Sequence, residues 1–180
     1  MPKLSKQEWE VQKNQHTARR HEEFRLAAEA VAAALGEIPQ VRAVALFGSV
    51  ARPPKMQTTR RGWRLLHYAK DVDLAVWIDR LDDLAALKRA RVRALARLHA
   101  ERNIGVAHHQ VDVFLIEPET NRYLGRLCNF SACPKGHRDC VVPGCGQAPF
   151  LNQHEDFEFY DDALRPDRLV RLYERQGGAG

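Results

Sequence analysis

Asp71 and Asp73 flank Val72 at the head of the run Asp-Val-Asp-Leu-Ala-Val-Trp-Ile, residues 71–78. In an extended strand, residues two apart share a face, so the two carboxylates stand side by side and repel. A divalent cation or a cationic side chain offsets that repulsion. Magnesium suits such a pair: it takes oxygen ligands and keeps substrate phosphates in its shell. A third carboxylate, Asp112, opens another apolar run, Val-Asp-Val-Phe-Leu-Ile at 111–116. If the two strands are neighbours, three acids converge at one end of a sheet. Such a trio supports a two-metal displacement, with Asp112 also placed to accept a proton from an attacking hydroxyl. The complementary half is Gly48-Ser49, which follows the apolar run 41–47. A glycine after a strand lets backbone N–H groups approach a phosphate, Ser49 adds a hydroxyl donor, and Arg52 neutralises phosphate charge.

Each piece alone is commonplace, a turn or a solvated strand end. The weight lies in their order: strand, Gly-Ser, a later strand with Asp-x-Asp, a helix, then a strand opening with Asp.

The elements that would position these residues are legible from periodicity. Ser5 to about Leu35 reads as a helix, with Ser5 and Glu8 forming a capping box and Phe24, Ala27, Ala28, Val31, Ala32 and Leu35 at helical spacing. Gly36 and Pro39 stop it. Residues 41–47 read as a buried strand, and Val50-Ala51-Arg52 as the start of a helix cut short by Pro53-Pro54. The stretch 55–70 is basic and reads as a loop or an added strand. Residues 71–78 are a strand, 81–102 a helix closed by Gly105 with Leu84, Leu87, Val92, Leu95 and Leu98 toward a core, and 111–116 a third strand preceded by His108-His109. Thr120 to Leu127 reads as a short helix, and Asp167 to Glu174 as a short helix or a strand. This order implies a mixed α/β (α+β) fold in three parts: an N-terminal helix (1–40), a core (41–127) and a cysteine-bearing C-terminal segment (128–180).

Leu46-Phe47-Gly48-Ser49-Val50-Ala51-Arg52, followed by Asp71-Val72-Asp73-Leu74-Ala75-Val76, resembles the signature of the DNA polymerase beta superfamily of nucleotidyltransferases, most of all its minimal group of small antitoxin-type and antibiotic-modifying enzymes. The resemblance covers roughly 41–116. It implies a mixed sheet flanked by helices and transfer of an NMP group from a nucleoside triphosphate to a hydroxyl acceptor. It also implies Gly48 and Ser49 as nucleotide contacts, and Asp71, Asp73 and Asp112 as ligands of two magnesium ions. The acceptor is then a protein, an RNA or a small molecule, and a toxin-like protein is a further expected partner. The alternative is a catalytically degenerate module that binds nucleic acid or a protein. One departure stands out. The Gly-Ser turn and the Asp pair are usually closer in minimal members, so 53–70 looks like an insertion, either a plain long hairpin or a basic flap.

Composition frames these readings. The 180 residues are 44% hydrophobic and 28% charged, as in a folded domain, with a net charge of +5 that favours anionic partners. No apolar run approaches the length of a membrane span and the first residues lack an apolar signal core, so the expected location is cytoplasmic. All four cysteines, Cys128, Cys133, Cys140 and Cys145, fall in one segment poor in apolar residues. In a reducing compartment that clustering favours a structural zinc, with His137 and His154 as alternative ligands. Four free thiols are the competing reading.

Overall fold

The computed structural model describes residues 5–129, 148–153 and 162–176. Helix α1 (Lys6–Gly36) begins at the expected capping box: the Glu8 N–H donates to Ser5 Oγ at 3.3 Å and the Ser5 N–H to Glu8 Oε2 at 2.8 Å. At 1.5 Å per residue it is roughly 46 Å long, more than a small core can cover. Only its later part is buried, from Thr17 through Phe24, Val31 and Leu35.

The sheet has six strands in the order β7-β6-β5-β4-β1-β8. They are β1 (Val41–Phe47), β4 (Val72–Ile78), β5 (Val111–Ile116), β6 (Tyr123–Leu127), β7 (Leu151–Asn152) and β8 (Val170–Glu174). Strands β4 and β5 are parallel, joined across α2 (Leu84–Arg102); every other pair is antiparallel. The protein is thus a mixed α+β fold built on a mixed sheet.

Both faces of the central strands are covered, which is why they read as continuous apolar runs. Val44, Leu46, Leu74, Val76, Val113 and Leu115 pack with α1 and α2. On the opposite face Ala45, Phe47, Ala75, Trp77, Phe114 and Ile116 form a second cluster, edged by Leu164 and Leu169. By the two-residue alternation, Asp73 and Asp112 belong to this second face.

Several expectations are corrected. No helix follows the Gly-Ser bend: residues 48–51 are a turn. Val92 is not in the core but 45% exposed; the buried stripe of α2 runs through Leu87, Arg91, Ala94, Leu95 and Leu98. Asn103, at φ +54°, ends this helix ahead of Gly105. Residues 123–127 form a strand, not a helix. Asn121 (φ +55°) closes a turn in which its N–H donates to the Glu117 carbonyl, sending the chain back along β5. Leu124 and Leu127 sit at helical spacing, but this antiparallel pairing prevails. Pro166–Arg168 is a 3-10 turn, and the strand alternative for the following residues holds as β8.

The insertion is a hairpin, β2 (Met56–Thr58) with β3 (Arg64–Leu66), docked on the overhanging part of α1. Asn14 acts as a surrogate strand edge: its Nδ2 donates to the Arg64 carbonyl at 3.0 Å and its Oδ1 accepts the Leu66 N–H at 2.8 Å. Glu10 accepts the Arg64 N–H, Lys6 Nζ donates to the Gly62 carbonyl, and the Trp9 and Trp63 rings meet at 4.6 Å.

Candidate functional site

Register brings the acids together. Asp73 is the Cα partner of Asp112 across the parallel β4–β5 pair, so their backbones are one strand spacing apart. Asp71 lies exposed, just before β4 begins. On the other side Asp73 pairs with Phe47, the last residue of β1 before the bend. Gly48 has φ +73°, and a Cβ placed on it would collide with Asp73 Oδ2. The carboxylate therefore lies directly against the Gly-Ser turn. Gly48 and Ser49 are exposed, while Val50 is buried and anchors the turn. Arg52 is exposed at the end of the bend.

Beneath the acids is an apolar floor. Phe47 and Phe114 pack edge to face at 5.3 Å, and both are nearly buried. Burial is the main reason the Asp73 carboxyl is pushed up from 3.8 to about 6; the charges of Asp112 and Asp71 add to it and Arg126 opposes. Burial also raises the Asp112 carboxyl, aided by Asp71, against the pull of Arg126, Asn129 and Arg91. The charge of Asp71 is thus felt by both of the other acids.

Arg126, Asn129 and Arg91 around Asp112 are the functional neighbours that the sequence reading missed. Arg126 Nη1 lies 3.3 Å from Asp112 Oδ2, and Asn129 Nδ2 is 3.4 Å from Oδ1. Arg91, fully buried on α2, donates from Nη1 to the Val111 carbonyl and to Asn129 Oδ1, both at 2.9 Å. From the other flank Arg20 of α1 donates to the Gly105 carbonyl and to Gln110 Oε1, tying down the loop that enters β5. Seeing Arg126 required reading 123–127 as a strand antiparallel to β5. Replacing Arg126 with Gln removes the cation nearest Asp112, so the Asp112 carboxyl is expected to titrate at higher pH. Carboxyl carbon NMR on labelled protein measures this, and an unchanged midpoint contradicts the assigned contact.

Among the described residues, no three His, Cys, Asp or Glu side chains stand together at metal-binding distance. Asp112 is turned toward its arginine, and a cation entering here competes with that guanidinium. The donor chemistry still fits magnesium: Asp73 and Asp112 offer carboxylate oxygens from adjacent strands, each raised from the usual carboxylate range chiefly by burial.

Of the expected zinc ligands only Cys128 is described. It is buried, and its N–H donates to the Phe150 carbonyl at 2.8 Å. Cys133, Cys140, Cys145, His137 and His154 lie outside the described residues. His108 and His109 are exposed in a 3-10 turn before β5. No helix among the described residues is long and apolar enough to cross a membrane. No protein-family model, curated protein or solved structure matches the chain.

Proposed function

We propose that the protein is a metal-dependent nucleotidyltransferase of the DNA polymerase beta type, moving an NMP group from a nucleoside triphosphate to a hydroxyl acceptor. The observation that carries this reading is the seating of Asp73 between the Gly48 bend and Asp112. It brings a phosphate-approaching turn and paired carboxylates to one point on the sheet. Gly48 and Ser49, both exposed, would contact the triphosphate through the bend and the Ser49 hydroxyl, with Arg52 beside them. Asp71, Asp73 and Asp112 are the residues that would hold magnesium, which when bound neutralises phosphate charge and makes the acceptor hydroxyl more acidic. The acceptor oxygen forms a new bond to the α-phosphorus, the bond from that phosphorus to the bridging oxygen breaks, and pyrophosphate leaves. The Asp112 carboxylate takes the hydroxyl proton; its raised pKa makes it a better base than a free aspartate. The surrounding chain supplies orientation: β4 and β5 fix the acids, and Arg91 and Arg20 brace the entry to β5.

A second reading, a degenerate module that binds nucleic acid or a protein without turnover, draws on the Arg126–Asp112 pair, in which an arginine occupies an oxygen that magnesium would need. Incubation with α-phosphate-labelled nucleoside triphosphates and a cell extract separates the two. Transfer that requires magnesium and stops on chelation is expected. Failure to bind nucleotide with magnesium in calorimetry favours the degenerate module.

A further inference from the structure

We infer that the β2–β3 hairpin is the docking arm for a single-stranded nucleic-acid acceptor, whose terminal hydroxyl it presents to the Gly48–Asp73 site. The inference rests on the transferase reading for the acceptor role, but not for binding of the strand. Residues 50–70 contain no Asp or Glu, and they carry Arg52, Lys55, Arg60, Arg61, Arg64 and Lys70, all exposed. Among the described residues none of these six takes part in an ion pair. Exposed arginines outside any ion pair also occur among the described residues of α1 and α2, such as Arg25, Arg93 and Arg97, but residues 50–70 concentrate six cations with no Asp or Glu of their own. The arm therefore carries a net excess of positive charge, with Glu10 of α1 the carboxylate that meets its backbone.

The arm is also held in place. Lys6, Glu10 and Asn14 grip the backbone of residues 62–66, and Trp9 packs on Trp63. These grips span nine residues of α1, about 12 Å of helix. A rigid cationic ridge binds a polyanion without first losing the entropy of an ordering loop. Its two ends belong to the site: Arg52 follows the Gly48-Ser49 bend and Lys70 precedes Asp71.

The chemistry favours a nucleic-acid strand over an acidic protein. Arginine outnumbers lysine, and its planar fork suits phosphate. Tyr68, 44% exposed between these cations and Asp71, offers a ring on which a terminal base stacks. A ridge of cations with an exposed aromatic near the reactive end suits single strands, whose bases are free to stack.

The test uses the full chain and a fluorescein-labelled oligouridylate, with anisotropy read in EDTA so that the metal site is not involved. Binding that weakens with salt is expected. The variant Arg60→Ser/Arg61→Ser/Arg64→Ser should weaken it at least about tenfold and flatten the slope of log affinity against log salt by about 2, at 0.7 per phosphate contact. Tyr68→Ala should weaken it with little change in slope. With labelled nucleoside triphosphate and magnesium, label should reach the 3′ end of unlabelled oligouridylate and fall in the triple variant, while calorimetric nucleotide binding stays as in the wild type. The proposal is overturned if the triple variant binds the strand as well as wild type does. It is likewise overturned if polyglutamate of equal charge binds as tightly, or if label reaches a protein and not the oligonucleotide. Loss of nucleotide binding in the wild type itself removes the transferase reading and the acceptor role with it, and leaves the anisotropy result as a separate fact.

Discussion

Asp73→Asn is expected to abolish magnesium-dependent transfer and, in the same protein, to raise the stability of the metal-free fold. The wild-type carboxyl titrates near 6 in the folded chain, against 3.8 when unperturbed. Between those values the folded state binds the proton and the unfolded state does not, so stability falls as pH rises through the window. Above about pH 6 the whole penalty is present, on the order of 2–3 kcal/mol at 1.4 kcal/mol per pKa unit. Asparagine carries no charge to desolvate on burial and none to repel Asp71 and Asp112, so the penalty disappears.

In EDTA at pH 7.5 the variant should therefore melt higher, by roughly 4–10 °C for a chain of this size. The gap should shrink as pH falls and close near pH 4. Saturating magnesium should narrow it from the other side, because binding to the native state stabilises the wild type in proportion to the logarithm of metal over Kd. A variant that melts below wild type in EDTA, or a gap indifferent to pH, would show that the Asp73 carboxylate is not held in the apolar, like-charged setting described. The physical point is that a group suited to hold a cation is a poor guest in the empty fold, so function and stability pull apart at this residue.

What the sequence disclosed of this site was what strand parity and order can encode. The runs at 41–47, 71–78 and 111–116 were found because burial on both faces demands apolar residues throughout. The two-residue repeat set Asp71 and Asp73 on one face; in the structure Asp73 stands on β4 and Asp71 lies exposed just before it. The strand neighbours of the acids were less accessible. Arg126 reaches Asp112 only because Asn121 turns the chain back, whereas Thr120 to Leu127 read as a short helix. The hairpin was visible as a basic interval without a period, since its strands have only three residues each and its docking partners, Glu10 and Asn14, lie about fifty positions away. Turns closed by an asparagine at positive φ, and side chains that imitate a strand edge, leave almost no periodic trace.

Gly48→Ala tests the seating of Asp73 from the opposite side. Two costs arise at this position. At φ +73° any Cβ is strained, by about 1–2 kcal/mol, and here it also meets Asp73 Oδ2. The collision is relieved only by moving the bend or the carboxylate, and either displaces the bend relative to the acids. A misplacement of about 1 Å costs on the order of a hundredfold in rate, so transfer should fall by at least that much while the protein stays folded. Gly62→Ala is the control: its φ is +72°, yet a Cβ there meets only Lys6 Nζ at 3.8 Å. It should show a similar loss of stability by denaturant titration with unchanged affinity for nucleotide and magnesium. Equal loss of that affinity in both variants would mean that backbone strain, rather than contact with Asp73, is what position 48 protects. Loss confined to Gly48→Ala ties the bend and the carboxylate into one working unit.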